Sequence, residues 1–209
     1  MGLSIQEILQ GGLQELSLPF NSEQVEKTLA YLNLLYKWNE KYNLVAESAK
    51  EHIVTRHILD SLSIQKYVNG KHVLDVGSGA GFPGIPLAIF KPQQQFTLLD
   101  CNGKKTRFLF KVKTDLSLEN VSIEESRVEH YQTNQRIDML TCRAFAELAE
   151  IVRKAKHLLS QKCKLLAMKG KFPGEEIKSL PKEFVVLDSV KINVPGDDGE
   201  RHLMTLVRS

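Results

Sequence analysis

The chain has 209 residues, with 28 lysines and arginines against 25 aspartates and glutamates, a formal net charge of +3, 42% apolar and 25% charged residues. These values describe an ordinary globular protein with one good-sized core, and the charge permits nucleic-acid binding without demanding it. Cys101, Cys142 and Cys163 are widely spaced and odd in number, which excludes a disulfide framework, gives no zinc-ligand spacing, and leads us to expect no metal and a reducing, cytoplasmic setting.

Residues 1–70 read as a helical cap, not an independent domain, ahead of a larger domain over 71–209. The opening Met1-Gly2-Leu3-Ser4-Ile5-Gln6-Glu7 lacks the basic region of a secretory signal and the Ser or Thr of a myristoylation motif. Pro19-Phe20-Asn21-Ser22-Glu23 is suited to cap a helix at Asn21 or Ser22. Val25, Leu29, Leu32 and Tyr36 then recur at helical spacing, and Trp38 follows as a core residue rather than a base-stacking one. A further helix is expected over 51–67, ended by Asn69-Gly70. From Lys71 onward, strands at 72–76, 96–100, 121–125, 137–142 and 164–168 alternate with helices at 85–90, 104–116, 146–159 and 175–180. Such alternation predicts a mainly parallel sheet with right-handed crossovers. Two more strands, 185–193 and 202–208, flank Pro195-Gly196-Asp197-Asp198-Gly199 and predict a hairpin. No apolar run approaches the ~18 residues of a membrane span, so no membrane partner is expected.

The densest signal is His72-Val73-Leu74-Asp75-Val76-Gly77-Ser78-Gly79-Ala80-Gly81-Phe82-Pro83-Gly84-Ile85-Pro86, a buried strand running through a glycine-rich turn into a helix. Glycines let the backbone bend and approach a ligand closely, and the ends of such strands are where open α/β sheets bind ligands. Gly79, Gly81 and Gly84 match the dinucleotide fingerprint, but Asp75 and Gly77 then stand where it requires apolar residues. A carboxylate here suits the ammonium, sulfonium and ribose of S-adenosylmethionine better than a pyrophosphate. Asp75, Gly77 and Gly79 are therefore candidate contacts of that cofactor. Asp100, ending the second strand, is placed to accept both ribose hydroxyls, and Val128-Glu129 after the third to meet the adenine.

The fourth strand ends in Thr141-Cys142-Arg143-Ala144-Phe145. It lacks the Asn/Asp-Pro-Pro-aromatic motif of enzymes that methylate exocyclic amines, and Cys142 reads as a buried strand cysteine rather than a nucleophile. Arg143 is a fixed cation at the ligand edge, able to hold a cofactor carboxylate, a substrate phosphate or a guanine. Lys104, Lys105, Arg107, Lys111 and Lys113, with Arg153, Lys154 and Lys156, could track RNA phosphates or form solvated helix faces. A nicotinamide oxidoreductase and a non-catalytic cofactor- or RNA-binding module remain as alternatives at this point.

Further segments narrow the choice: Lys37-Trp38-Asn39, Tyr42-Asn43-Leu44, Arg56-His57-Ile58-Leu59-Asp60-Ser61, Leu99-Asp100, Gly103-Lys104-Lys105, Arg127-Val128-Glu129, Arg143-Ala144-Phe145, Met168-Lys169-Gly170 and Gly199-Glu200-Arg201-His202-Leu203. With the glycine loop they make the chain resemble, over nearly its whole length, the bacterial 16S rRNA guanine-N7 methyltransferases (the RsmG, or glucose-inhibited division protein B, family). The resemblance implies an α/β fold: a class I S-adenosylmethionine-dependent methyltransferase (Rossmann-like) sheet, mostly parallel with a C-terminal antiparallel hairpin, plus the N-terminal helical cap. It implies methyl transfer from S-adenosylmethionine to N7 of a guanosine in the 530 loop of 16S rRNA, at nucleotide 527 of the usual rRNA numbering, free or in the 30S subunit. By position it makes Gly77, Phe82, Val128, Glu129 and Arg143 cofactor contacts, with Asp100 on the ribose. Arg143 is also a candidate for substrate positioning, no catalytic base is expected, and Arg56, His57, Lys104, Lys105, Lys169 and Arg201 are candidate RNA contacts. A monomer is expected. Val45 and Cys101 depart from the commoner Thr and Ser of the family without touching the matched cofactor positions.

Overall fold

The computed structural model describes residues 2–46 and 52–209. Helix α1 (Ile5–Glu15) and helix α2 (Ser22–Tyr42) each begin with a reciprocal cap. Asn21 is the cap of α2: its side chain accepts from the Gln24 N–H at 2.9 Å, and Gln24 accepts from the Asn21 N–H at 3.0 Å, satisfying two otherwise orphaned donors. The helix expected over 51–67 is broken into shorter turns. A π-helical segment, Val54–Leu59, leads into the single α-turn α3 (Asp60–Ser63) and a 3-10 turn, Gln65–Tyr67. Glu51, its expected first residue, lies outside the described residues.

The remaining elements are β1 (His72–Val76), α4 (Gly84–Phe90), β2 (Gln95–Asp100), α5 (Gly103–Asp115), β3 (Val121–Glu125), β4 (Met139–Arg143), α6 (Leu148–Lys154), β5 (Lys164–Lys169), α7 (Gly174–Lys178), β6 (Phe184–Lys191) and β7 (His202–Arg208). They build a seven-stranded sheet in the order β3-β2-β1-β4-β5-β7-β6. β1 to β5 run parallel, and β7 enters antiparallel between β5 and β6. The order reverses between β1 and β4, which opens a crevice at their carboxyl ends. This is the expected layered architecture, with several boundaries shifted by one or more residues. β4 starts at Met139, because the Asp138 carboxylate accepts the Lys71 and His72 N–H groups and ties that residue to the entry of β1. α6 stops at Lys154, well short of 159, where the chain turns at Ala155 and His157 bonds the Tyr131 carbonyl. β6 ends at Lys191, with a bulge between Val186 and Asp188.

The cap and one face of the sheet share a single core, in which Leu9, Leu13, Tyr31 and Leu35 pack with Ile85, Phe96 and Phe108. Trp38 joins it, its ring 5.6 Å from that of Phe108. The other face is covered by α6, through Leu148, Ile151 and Val152 over Leu74, Leu140 and Leu165. One polar bond crosses from the cap into the glycine loop: the fully buried Tyr31 hydroxyl donates to the Ala80 carbonyl at 2.6 Å.

Tyr31→Phe removes that donor and leaves a buried carbonyl unpaired, so stability falls by ~1–2 kcal/mol. Urea unfolding reads it as a lower midpoint at unchanged slope. An unchanged midpoint means that the cap is held by apolar packing alone.

Candidate active site

The glycine loop is built around Asp75, which is fully buried. Its carboxylate accepts the Thr141 hydroxyl of β4 at 3.0 Å and the Gly84 N–H at the start of α4 at 3.1 Å. The Ser78 hydroxyl donates to the Asp75 carbonyl at 2.8 Å. Burial drives the Asp75 carboxyl up to about 6 against these bonds and the more distant Arg143. A side chain at Gly84 would press its Cβ to 2.7 Å from the Asp75 carboxylate, so only glycine admits the contact. Asp75, expected at the ligand edge, fastens the loop from beneath, its carboxylate buried against these partners.

The loop it fastens forms one side of a cleft of about 300 Å³, lined by Gly77, Asp100, Val128, Glu129, Ala144 and Phe145 among others. Asp100 sits at the β2 end with one oxygen accepting the Gly79 N–H at 2.8 Å and the other the Asn102 N–H at 2.9 Å. Each oxygen retains acceptor capacity. Lys105 stands 3.9 Å from Asp100, across the cleft floor. The Glu129 carboxylate is at the mouth, 3.7 Å from the Lys154 ammonium. Gly77 has φ +69°, and a side chain there would overlap the Phe145 ring. A carboxylate at the second strand end, a glycine turn beneath it and an apolar Val128 beside Glu129 fit an adenosine-bearing cofactor.

A second cavity, about 330 Å³, lies beside the first, at the ends of β4 and β5 under the π-helical segment. Ile64, Met168 and Ile192 give it apolar walls, while His57, Arg143, Lys169, Arg201 and His202 give it polar ones. An ion network ties these elements together. Asp60, nearly buried, accepts from Arg143 at 2.8 Å and from Arg201 at 3.1 Å. Arg201 also pairs with Asp197 at 2.7 Å, and Asp197 lies 3.9 Å from Arg56. Burial raises the Asp60 carboxyl against the pull of both arginines. Arg143 spends further donors on the Arg56 carbonyl and on His57 Nδ1. A guanidinium can only donate, so His57 carries its proton on Nε2. Burial, then Arg143, Arg201 and Arg56, push the His57 pKa down to about 3, which keeps the ring neutral. The ring stacks on Phe82 with centroids 4.8 Å apart. Nε2 is buried with no partner among the described residues.

The two cavities share Ala144 as a wall. This non-glycine residue is left-handed, at φ +49°, a strained conformation held by its flanks. Arg143 on one side of it belongs to the second cavity and Phe145 on the other to the first. Cys142 just before is 2% exposed, and burial, helped by Asp75, pushes its thiol up to about 12.

Of the residues singled out from sequence, Gly77, Asp100, Val128 and Glu129 come together in the first cleft, and Gly79 supports Asp100 behind it. Arg143 does not join them; it lines the second cavity and is drawn there by Asp60. Phe82 is 7% exposed and packs between Tyr31, His57 and Arg143. Arg56, His57, Lys169 and Arg201 all line the second cavity. Lys169 is held by Glu176 at 2.7 Å, and Lys104 alone of the RNA candidates is open on α5. Sequence reasoning gave no site role to Asp197 and Ile192, whose signal is proximity in space, or to Met168, which stood only in a matched segment beside Lys169.

The family model for rRNA small subunit methyltransferase G matches residues 24–204. The ribosomal RNA small subunit methyltransferase G of Nitrosococcus oceani is 46% identical over 201 residues, covering 96% of this chain and 94% of that protein. The protein of the same name from Ectopseudomonas mendocina is 48% identical over 206 residues, covering 98% and 96%. Among solved structures, TrmN from Thermus thermophilus is similar at a TM-score of 0.57 and 15% identity, over 75% of this chain and 53% of that one. A SAM-dependent methyltransferase from Thiobacillus denitrificans in complex with S-adenosyl-L-homocysteine is similar at 0.53 and 13%, over 82% and 96%. At such identities these structures speak to the fold alone.

Asp60→Ala strips two arginines of their buried partner and is expected to cost ~3–5 kcal/mol. Arg201→Ala, at a position more open to solvent, is expected to cost less. Denaturant unfolding of both variants measures the difference, and equal small losses mean that the network is not a structural tie.

Proposed function

The chain belongs to the rRNA small subunit methyltransferase G family, and from that membership we propose how its two cavities divide the reaction. The activity is S-adenosylmethionine-dependent methylation of small-subunit rRNA. Our finer reading is that the acceptor is N7 of a guanosine in the 530 loop of 16S rRNA, and that the cavity under the π-helical segment receives the base. The observation that carries it is the shared wall at Ala144, which brings an adenosine-sized cleft and a partly apolar cavity to one edge.

When bound, S-adenosylmethionine supplies a methyl group on an electrophilic sulfonium. Asp100 would accept the ribose hydroxyls, Val128 and Glu129 would meet the adenine, and Gly77 would allow close backbone approach. Arg143 would border the reacting end from the acceptor side, with the Phe82 ring packed against its guanidinium. N7 of guanine carries an in-plane lone pair and no proton, so no general base is required. That reading is supported by two groups that could otherwise serve as base or nucleophile: His57, lining the second cavity, is neutral with a pKa of about 3, and Cys142, two residues before the shared wall, is buried at about 12. Neither exchanges a proton near neutrality. The His57 Nε2–H is matched to an acceptor such as guanine O6, where adenine would present an amino group. Catalysis then comes mainly from holding N7 in line, a proximity effect worth several kcal/mol. Lys104 would meet phosphates outside the cavity. Action as a monomer in the cytoplasm belongs to the same reading; no helix among the described residues is long and apolar enough to cross a membrane.

Labelled methyl transfer to unmodified 16S rRNA and to 30S subunits, followed by mapping of the modified base, tests the acceptor. A product other than 7-methylguanosine in the 530 loop overturns it. Asp100→Ala removes charge-assisted bonds to the ribose and should weaken S-adenosylhomocysteine binding roughly tenfold to a few hundredfold by calorimetry. Unchanged affinity would remove Asp100 from the ribose site. The single-turnover rate should stay nearly flat between about pH 7 and 8.5, since the cited groups titrate outside that range. A tenfold rise per pH unit, abolished by replacing one side chain, would reveal a base.

A further inference from the structure

The wall of the acceptor cavity formed by Met168, Lys169 and Gly170 continues outward into the exposed Lys171 and Phe172, followed by the buried Pro173 that leads into α7. Phe172 is 54% exposed, yet its ring is not loosely placed. It meets the ring of His202, another cavity residue, edge-on with centroids 5.7 Å apart and planes at 70°. On another side, a Cβ built on Gly174 would lie 3.6 Å from Phe172 Cε1, so the ring rests over that glycine. Pro173 confines the Phe172 backbone to extended conformations. The outcome is an aromatic side chain kept open to solvent at the rim of the cavity and fixed by its neighbours.

The charges around it matter. Lys171, also exposed, precedes it, and Lys169 and Arg201 line the cavity behind it. Cations beside an open aromatic ring suit a ligand that carries phosphates and flat apolar faces together. Tyr42 and Phe110 are also exposed aromatics, but they lie on α2 and α5, and Tyr42 meets the ring of Trp38, whereas Phe172 touches the cavity lining through His202. A base that enters an enclosed site must leave its stack, and its neighbour in the strand loses a stacking partner.

We propose that Phe172 is a stacking platform for the nucleobase next to the one that enters the acceptor cavity. This rests on reading that cavity as the acceptor site. The ring replaces the stacking surrendered when the target base swings out, and so holds the strand open at the cavity mouth. His202 sets the tilt of the platform from inside. Phe172 is thus a positioning residue: it acts on the RNA strand and leaves the cofactor cleft untouched.

The test compares the full-length chain with Phe172→Leu, Phe172→Ala and Phe172→Trp, using unmodified 16S rRNA and 30S subunits with labelled cofactor. Leucine keeps apolar bulk without a ring, so Phe172→Leu and Phe172→Ala should both raise the RNA concentration for half-maximal single-turnover rate, roughly fivefold to a hundredfold. Phe172→Trp should stay near the parent. S-adenosylhomocysteine affinity should not move, and the slope of RNA binding against salt should be unchanged, because no charge is removed. Phe172→Leu behaving like the parent overturns the platform while leaving the methyltransferase reading intact. A parallel loss of cofactor affinity, or a changed salt slope, overturns it by showing a general disturbance of the site. Failure of the parent chain to methylate either substrate would instead defeat the reading on which the platform rests.

Discussion

A single buried carboxylate organises the ligand edge of this protein. Asp75 reaches from β1 to the Thr141 hydroxyl on β4 and to the first N–H of α4. β1 and β4 are the strands between which the sheet order reverses, so this side chain spans the point where the crevice opens. A buried, charged side chain is tolerated only when its acceptors are filled, and here the Thr141 hydroxyl and the Gly84 N–H at the end of the glycine loop fill them. The shape of the loop and the ionisation of Asp75 are therefore one problem with one solution. From that fixed loop the Gly79 N–H reaches Asp100, which sets a carboxylate in the first cleft.

The order of strands and helices was legible because parallel, doubly covered strands demand apolar runs and the crossovers between them demand amphipathic helices. The cap at Asn21 was legible too, since it depends on residues three apart. What local pattern does not encode is where a side chain finds its partner across the fold. Asp75 sits in a ligand-edge motif, and nothing near it in the chain announces Thr141, 66 residues away. Arg143 looks like a free cation at a strand end until Asp60, 83 residues earlier, is placed against it. The break at Val54–Leu59 is of the same kind. Leu59 there packs so closely on Gly12 of α1 that a side chain on the glycine would overlap it.

Pairing within the protein also changes how its positive charge reads. Arg143, Arg201 and Lys169 each hold a carboxylate within 3.1 Å, and Arg56 stands near Asp197. Such cations contribute less to long-range attraction of a polyanion than a bare count suggests, because each carries its counterion with it. Their value is positional: they fix the π-helical segment, the end of β4 and the 195–201 turn around one cavity. Open cations such as Lys104 and Arg107 on α5 are better suited to tracking a phosphate backbone. The segregation separates the paired cations that shape the cavity from the open ones on α5.

Ala144 is where these two organisations meet. The loop fixed by Asp75 requires the chain leaving β4 to pass over Gly77, and the network fixed by Asp60 requires the residue one step earlier to point the other way. A regular extended exit from the strand would carry Arg143 and Phe145 to the same side, since alternate residues of a strand share a face. The left-handed turn at φ +49° breaks that alternation and sends the guanidinium to one cavity and the ring to the other. Alanine is small enough to lie between the cavities without closing either. The backbone strain at this residue is thus offset by two buried polar arrangements, around Asp75 and around Asp60, that a regular extended exit would not satisfy together.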